Sequence, residues 1–286
     1  MFEKSRLFAE SWNVAYRKGR PGSILTNTDD VFYVIPNSRR YWAADPFLFE
    51  FQNKTYVFAE LYDYMFCRGV LGYCIIGEDQ KPKWKPVIVE NYHLSFPYIY
   101  QDGNEIYIMA ESSASALLYR YRAVEFPDHW ERVETIRKKV KLADTVLLHE
   151  NGHSYALTYN VENANTPYLC WLDLDEPEKD KMLSFEHQEL RRPAGRVLQS
   201  EKIRSAQNCA GDYGKGLVFY RYSVKQGEYE ETEIKRVFPQ DVKLSKKLYL
   251  DGMHTYNFSE NYEVIDIKTR RFNLLNLCFR FIAKLR

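Results

Sequence analysis

Short apolar runs alternate with polar turns along this chain, and one such pattern is clearest at residues 44–60. It begins at Asp45, continues through an apolar run, turns at the polar residues 52–54, resumes with a second apolar run around Tyr56, and ends at Glu60. Two apolar runs of this length joined by a short polar turn are typical of a β-hairpin. The segment is therefore predicted to be two antiparallel strands.

The same pattern returns four more times at a spacing near 50 residues. Its five copies begin at Asp45, Phe96, Asp144, Gln207 and His254, so that the starts are separated by 51, 48, 63 and 47 residues. In the first three copies a tyrosine follows the start by 11 residues, and in the first two a glutamate follows it by 15. A period of this length with several short strands per unit is typical of sheets arranged radially around an axis.

The repeat predicts an all-β fold, a five-bladed β-propeller that occupies residues 1–268 as a single domain. Two further strand-like segments, residues 12–17 and 31–35, precede the first copy. The fifth copy is short of strands, and an N-terminal strand often completes the last blade of a propeller. We therefore expect one of these two segments to close the ring.

The last segment, residues 269–286, is predicted to be a short amphipathic helix. It contains five basic residues and no acidic one, and Asn273, Asn276, Arg280 and Lys284 are spaced by three or four positions. This spacing gives a narrow polar stripe on an apolar helix. Such a helix either lies in a membrane interface, through residues 270–286, or covers a protein surface of the propeller or of a dimer.

Composition narrows the classes of partner and the location. Lys and Arg total 40 and Asp and Glu total 39, so no basic field favours nucleic acid. The five cysteines are scattered and follow neither a disulfide framework nor a metal-binding spacing. The first residues are polar and lack the apolar region of a secretory signal. We therefore expect a cytoplasmic protein without a metal site, peripheral on the inner face of the plasma membrane if the tail binds lipid.

Propeller geometry predicts where polar residues from different repeats meet. Each innermost strand starts, and each second strand ends, on the same face of the ring, so residues at these points surround one mouth of the channel. The residues at these positions are Asp45, Glu60, Glu111, Asp144, Arg204, Gln207 and His254. Several carboxylates around one hollow are suited to acid and base chemistry at a sugar acetal.

The carboxylates are assigned different roles. Asp45 and Asp144 are the candidates for an ionised base or nucleophile, and Glu111 is the candidate acid. The alternative for each aspartate is a cap that binds backbone at the start of a strand.

The remaining positions are candidates for substrate binding. Glu60 lies at the mouth, and Arg204 and Gln207 are suited to a sugar hydroxyl or a phosphate. The alternatives are structural: Arg204 and Gln207 would connect blades, and His254 would form hydrogen bonds within the channel.

A set of motifs resembles one known family over residues 12–268. The motifs are residues 44–49, 93–97 with 111–113, 192–196, 206–209 with 213–214, and 254–257. Together they are similar to the propeller domain at the N-terminus of plant glucosamine inositolphosphorylceramide transferase and to bacterial proteins of surface-polysaccharide synthesis. More distantly the chain resembles the five-bladed arabinanase, invertase and levansucrase glycosidases. Ser205 and Phe96 depart from the proline and tyrosine expected in the close relatives.

The resemblance implies a function for the predicted channel. Asp45 matches the blade-opening carboxylate that serves those glycosidases as base or nucleophile, and Asp144 matches a further blade-opening carboxylate. The family implies a glycosyltransferase of bacterial surface-polysaccharide biosynthesis, with a sugar nucleotide as donor and a carbohydrate or lipid-linked glycan as acceptor. A glycoside hydrolase and a non-catalytic glycan-binding module are the alternatives.

Overall fold

The computed structural model describes residues 8–27, 29–78, 80–225 and 227–272. In these residues the regular structure consists of β-strands and short 3-10 turns, without an α-helix. None of the described helical segments is long and apolar enough to cross a bilayer. Five β-sheets account for the strands, and they confirm the five-bladed propeller.

The strands are numbered in chain order. The N-terminal pair is β1 (Phe8–Lys18) and β2 (Val31–Val34). Blade one contains β3 (Tyr41–Phe51), β4 (Lys54–Asp63), β5 (Arg68–Ile76) and β6 (Lys85–Ile88). Blade two contains β7 (Ser95–Asp102), β8 (Glu105–Glu111), β9 (Leu117–Glu125) and β10 (His129–Lys138). Blade three contains β11 (Leu142–Glu150), β12 (His153–Asn160), β13 (Tyr168–Asp173) and β14 (Lys181–Met182).

Blades four and five contain the remaining strands. Blade four is the three-stranded sheet β15 (Ile203–Asn208), β16 (Gly216–Lys225) and β17 (Glu228–Val237). The C-terminal strands are β18 (Lys243–Leu244), β19 (Leu250–Gly252), β20 (Tyr256–Phe258) and β21 (Tyr262–Phe272). Blade five has the order β18-β2-β1-β21-β19, with β20 also pairing with β21.

The N-terminal strand closes the ring, as expected from the sequence. Strand β1 pairs with β21 in antiparallel register from Phe8 opposite Phe272 to Lys18 opposite Tyr262. On its other side β1 pairs with β2. The first and last long strands of the described chain are thus joined within one sheet, so that strands β1 and β21 leave no open edge between them.

The end of β21 differs from the sequence prediction. The strand continues to Phe272, although the predicted helix was to begin at Thr269. Backbone pairing with β1 holds residues 269–272 in extended conformation. The rest of the predicted helix, residues 273–286, lies outside the described residues.

Aromatic and branched side chains fill the spaces between neighbouring blades. A large core cluster extends across blades one to three, where Phe47 and Phe58 lie in contact distance of rings from blade two such as Phe96 and Trp130. A second cluster unites blades four and five around Phe219, and a third joins blades five and one. Most of the many tyrosines in strands therefore serve sheet packing, and this packing fixes the blades around the channel.

Candidate functional site

A repeated backbone kink places the predicted residues at the channel. Asp45, Phe96 and Asp144 all have left-handed backbone conformations, with φ of 50°, 47° and 52°. At each of these positions the pairing between the first and second strand of the blade skips. Such β-bulges redirect a side chain and interrupt the ladder. In blades one and three the kink turns an aspartate into the interior.

Asp45 is held by groups from two other blades. Thr255 Oγ1 donates to its Oδ1 at 2.9 Å, and the backbone N–H of Phe96 donates to its Oδ2 at 3.2 Å. Burial raises the pKa of Asp45 to about 6; His254 opposes this shift, whereas Asp144 and Asp266 add to it. Asp45 therefore changes its protonation state closer to neutral pH than an exposed aspartate does.

Asp266, on strand β21, organises the region behind Asp45. It is completely buried and accepts backbone N–H groups of Asp45, His254 and Thr255 at 2.9–3.1 Å. His254 Nδ1 lies 2.6 Å from Asp266 Oδ2, and its Nε2 lies 3.7 Å from Asp45 Oδ1. Although burial opposes the charge, Asp266 and Asp45 raise the pKa of His254. Asp266 and His254 of blade five thus connect that blade to Asp45 in blade one.

Asp45, His254 and Asp266 are close enough to be considered as a cation site. Their ligand atoms all lie within 4.8 Å of one another. Both oxygens of Asp266, however, already accept two hydrogen bonds or close N–H contacts each. Trp12 also stacks on the imidazole of His254 with a centroid distance of 3.8 Å. Because these contacts already engage Asp266 and His254, the three residues form a hydrogen-bonded carboxylate–histidine cluster.

Asp144 forms the opposite side of the site with an arginine. Arg192 Nε donates to Asp144 Oδ2 at 2.5 Å, and Gln207 Nε2 donates to the same oxygen at 2.6 Å. A second nitrogen of Arg192 donates to Glu111 Oε2 at 3.2 Å. Burial raises the pKa of Asp144 to about 6, with Arg192 opposing the shift and Glu111 adding to it. Arg192 therefore partly neutralises two acids.

The segment 192–196 positions this arginine by joining two blades. The carbonyl of Arg192 accepts the N–H of Gln207, in blade four, and the carbonyl of Ala194 accepts the N–H of Tyr256, in blade five. Gly195 has φ of +145°, and a Cβ there would lie 1.9 Å from the carbonyl oxygen of Tyr256. The close approach requires glycine.

Glu60 is buried beside these groups, with 6% of its surface exposed. Its Oε1 has no hydrogen-bond partner, and the nearest basic group is His93 Nε2 at 3.4 Å. Burial raises the pKa of Glu60 well above its ordinary value, and Asp45, Glu111, Asp266 and Asp144 contribute in that order. Glu60 is thus part of the same electrostatic cluster.

The family can now be compared with this arrangement. A family model described as "Glucosamine inositolphosphorylceramide transferase 1, N-terminal" matches residues 35–261, which is most of the chain. The chain belongs to this family. The sequence resemblance is thereby confirmed, and the matched region includes Asp45, Glu60, Glu111, Asp144 and His254, whereas Asp266 lies just beyond it.

Curated relatives in this family come from plants. "Glucosamine inositolphosphorylceramide transferase 1" of Arabidopsis thaliana is 27% identical over 234 residues, which cover 75% of this chain and 29% of the relative. The protein of the same name from Oryza sativa subsp. indica is 26% identical over 215 residues, covering 68% and 28%. The chain thus spans less than a third of each relative, so similarity alone does not transfer the activity of the whole relative.

Solved structures of similar shape have low sequence identity. The catalytic domain of a Coprinopsis cinerea alpha-L-arabinofuranosidase has a TM-score of 0.51 at 8% identity, over 82% of this chain and 93% of that one. An endo-1,4-beta-xylanase from Bacteroides thetaiotaomicron has a TM-score of 0.54 at 13% identity, over 81% and 89%. At these identities the likeness establishes the propeller fold of this family member.

The structure brings most of the predicted site residues of this family member together. Contacts and electrostatic coupling join six of them in one cluster, namely Asp45, Glu60, Glu111, Asp144, Gln207 and His254. Arg204 lies elsewhere. It is buried, it pairs through two nitrogens with Glu231 at 2.5 and 2.7 Å, and it donates to Tyr229. Arg204 therefore connects strands within blade four.

Several residues that contact this cluster had no role in the sequence prediction. Arg192 belongs to a quoted motif but was given no function, and His93 was likewise only part of a motif. Asp266 could have been noticed as an acid between the apolar residues Ile265 and Ile267 of a buried strand. Tyr213 is 40% exposed, and the Arg192 guanidinium lies 5.4 Å from its ring centre.

Proposed function

We propose that this protein is a glycan-active enzyme that transfers a sugar unit to a carbohydrate or lipid-linked acceptor. The observation that carries the proposal is the convergence of Asp45 and Asp144, from separate blades, on one buried cluster of carboxylates. Chemistry at an anomeric carbon needs one carboxyl group that supplies a proton and another that accepts one. Burial raises the pKa values of both aspartates toward neutral pH, so that carboxyl groups of this cluster can hold or release a proton under ordinary conditions.

The environment of each aspartate supports this role. Asp45 accepts only two hydrogen bonds from described groups, and its pKa of about 6 makes it a stronger base than an exposed aspartate. Asp144 is bound by Arg192 and Gln207, an arrangement suited to an electrostatic role. We assign Asp45 as the base that activates the acceptor and Asp144 as the residue that sets the charge of the hollow.

The cellular setting is also a proposal. The plant relatives are named as transferases, and the chain shares with them less than a third of their length. We propose that the protein acts in bacterial surface-polysaccharide biosynthesis at the cytosolic face of the membrane, with a sugar nucleotide as donor. The basic segment 273–286 would then attach it to anionic lipid.

Asp45→Asn and Asp144→Asn test the catalytic proposal. The purified protein is supplied with a panel of sugar nucleotides and glycan acceptors, and transfer is followed by mass spectrometry. We expect each substitution to reduce transfer by about 10²-fold or more, because Asp45→Asn removes the general base and Asp144→Asn removes a charge that stabilises the transition state. Glu50→Gln, at an exposed position of strand β3, is the control. Full activity of both aspartate variants would contradict the proposal.

Glycoside hydrolysis is a second candidate, favoured by one observation. The propeller resembles enzymes named as an arabinofuranosidase and a xylanase. Release of new reducing ends from a glycan in the absence of any sugar nucleotide would favour hydrolysis over transfer. Glycan binding that Asp45→Asn leaves unchanged, with neither reaction detected, would instead indicate a non-catalytic module.

A further inference from the structure

Two glutamates occupy equivalent positions in blades one and two but have different partners. Glu60, on β4, lies opposite Ala44, and Glu111, on β8, lies opposite Ser95; both partners immediately precede a kinked residue. Repetition of the blade thus brings two carboxyl groups to the same mouth. The difference between them lies in the groups that surround each one.

Glu111 is surrounded by donors. Arg192 donates to its Oε2 at 3.2 Å, and Ser113 Oγ donates to its Oε1 at 3.2 Å. Both oxygens of Glu111 therefore accept a hydrogen bond, one of them from a guanidinium.

Glu60 lacks such donors. Among the described residues no arginine or lysine forms an ion pair with it, and its buried Oε1 has no hydrogen-bond partner. Ionised, it would leave a charged oxygen buried and unpaired, which is costly. The charged groups that act on Glu60 are themselves acids, Asp45, Glu111, Asp266 and Asp144, and they raise its pKa in addition to burial.

The neighbouring histidine does not supply a compensating charge. The backbone N–H of Gly69 donates to His93 Nδ1 at 2.9 Å, which leaves the ring proton on Nε2. Burial lowers the pKa of His93, so the ring stays neutral at neutral pH. Its Nε2 lies 3.4 Å from Glu60 Oε1, and 43% of its side chain is exposed. A neutral His93 therefore faces Glu60 Oε1 with its Nε2–H and supplies no positive charge.

Glycine at position 69 permits this contact. A Cβ there would lie 2.6 Å from Glu60 Oε1, 2.9 Å from His93 Cε1 and 2.4 Å from the carbonyl oxygen of Leu94. The backbone of β5 thus leaves the space in which the carboxyl group and the imidazole face each other.

We propose that Glu60, rather than Glu111, is the residue that protonates the leaving oxygen during glycosyl transfer. This inference rests on the proposed glycan-active function of these residues, and it applies to a glycan as sugar donor, because a nucleoside diphosphate leaves without a proton. As the bond between the anomeric carbon and the leaving oxygen breaks, its electron pair goes to the oxygen, which takes the proton of Glu60. The acceptor oxygen bonds to the anomeric carbon and gives its proton to Asp45. Glu60 then regains a proton, and Asp45 releases one, through exchange with solvent.

Infrared difference spectroscopy tests the protonation state without any substrate. A protonated carboxyl group has a carbonyl stretching band separate from those of ionised carboxylates. At neutral pH we expect Glu60→Gln to lose a protonated-carboxyl band that Glu111→Gln retains. The two variants are matched because they occupy equivalent positions of neighbouring blades. A band that persists in Glu60→Gln and disappears in Glu111→Gln would overturn the proposal.

Dependence on the leaving group tests the catalytic role. With a glycan whose leaving oxygen needs a proton, we expect Glu60→Gln to lower the rate by about 10²-fold or more. With an activated aryl glycoside, whose leaving oxygen needs no proton, the rate should remain close to that of the wild type. Glu111→Gln should affect both substrates alike. Equal losses on both substrates in Glu60→Gln would overturn the donor role.

The outcomes separate the two proposals. If the wild type uses neither a sugar nucleotide nor a glycan as sugar donor, the proposed function fails and the donor role fails with it. If the wild type is active and Glu60→Gln keeps its full rate on the glycan whose leaving oxygen needs a proton, only the proton-donor role of Glu60 fails.

Should Glu60→Gln not fold, Glu60→Asp keeps a carboxyl group with a shorter reach. A rate loss confined to the glycan whose leaving oxygen needs a proton supports the proton-donor role of Glu60. If Glu60→Asp loses the same fraction of the wild-type rate on both substrates, the proton-donor role of Glu60 is contradicted.

Discussion

At the scale of single residues, Asp45 contributes an unfavourable charge to the folded protein at neutral pH. Its pKa is 3.8 under ordinary conditions and about 6 in the fold. Below the lower value it is protonated in both the folded and unfolded chains. Between the two values the folded protein keeps a proton that the unfolded chain has released, so the contribution of Asp45 to stability falls as pH rises. Above the higher value the cost stays constant, at about 3 kcal/mol.

Asp45→Asn should therefore weaken the pH dependence of stability. We expect the free energy of unfolding of the wild type to fall by a larger amount than that of the variant between about pH 4 and about pH 7. Because the pKa of Asp144 is also raised, part of the dependence should remain. Urea unfolding at the two pH values measures the difference, and Glu50→Gln is the control. Identical pH dependences in wild type and Asp45→Asn would contradict this explanation.

The residue scale also marks the limit of sequence reasoning. Asp45 and Asp144 could be placed because each opens a repeat, and the repeat is visible in the sequence. Arg204 and Gln207 are three positions apart on β15 and so project to opposite faces, a signal that strand periodicity already contained. Arg192 could not be placed, because its contact with Asp144 depends on the path of a long insertion between blades.

At the scale of elements, the segment 192–196 determines where the Arg192 side chain is held. It is joined to β15 and to β20 by backbone hydrogen bonds, and the Arg196 guanidinium donates to the carbonyl of Ile99 in blade two at 2.6 Å. A single loop thus contacts three blades. The repeat predicts the blades, whereas such connections between them have no periodic signal in the sequence.

Gly195→Ala should disturb this loop. The added Cβ would meet the carbonyl oxygen of Tyr256 at 1.9 Å, and the backbone has a φ that alanine disfavours. We expect a loss of at least about 2 kcal/mol in the free energy of unfolding, measured by chemical denaturation. Gly103→Asn is the matched control, since its φ is +59° and open space surrounds it. A Gly195→Ala protein as stable as the control would indicate that the loop is displaced without consequence.

At the scale of the whole molecule, the strand that closes the ring also limits how the tail can be studied. Because β21 pairs with β1 up to Phe272, a truncation that begins at residue 270 would remove part of the closing strand. A truncation that removes only residues 273–286 leaves the described propeller complete. This boundary separates an effect on membrane attachment from an effect on folding.

The truncated protein should leave the membrane fraction while keeping its fold. We expect full-length protein to sediment with vesicles that contain anionic lipid and the variant lacking residues 273–286 to remain in the supernatant, because the segment carries basic residues and no acid. Far-ultraviolet circular dichroism confirms that both proteins fold. Equal partitioning of the two proteins would support the alternative, a tail that covers a protein surface.

The kink shared by Asp45, Phe96 and Asp144 has a consequence for redesign of the molecule. Blade two keeps the left-handed turn although a phenylalanine stands where its neighbours carry an acid. The turn therefore does not depend on the acidic side chain that it presents in blades one and three. Because Phe96 is completely buried and its ring packs on Phe47, an acid installed there would place a charge within the core between blades one and two.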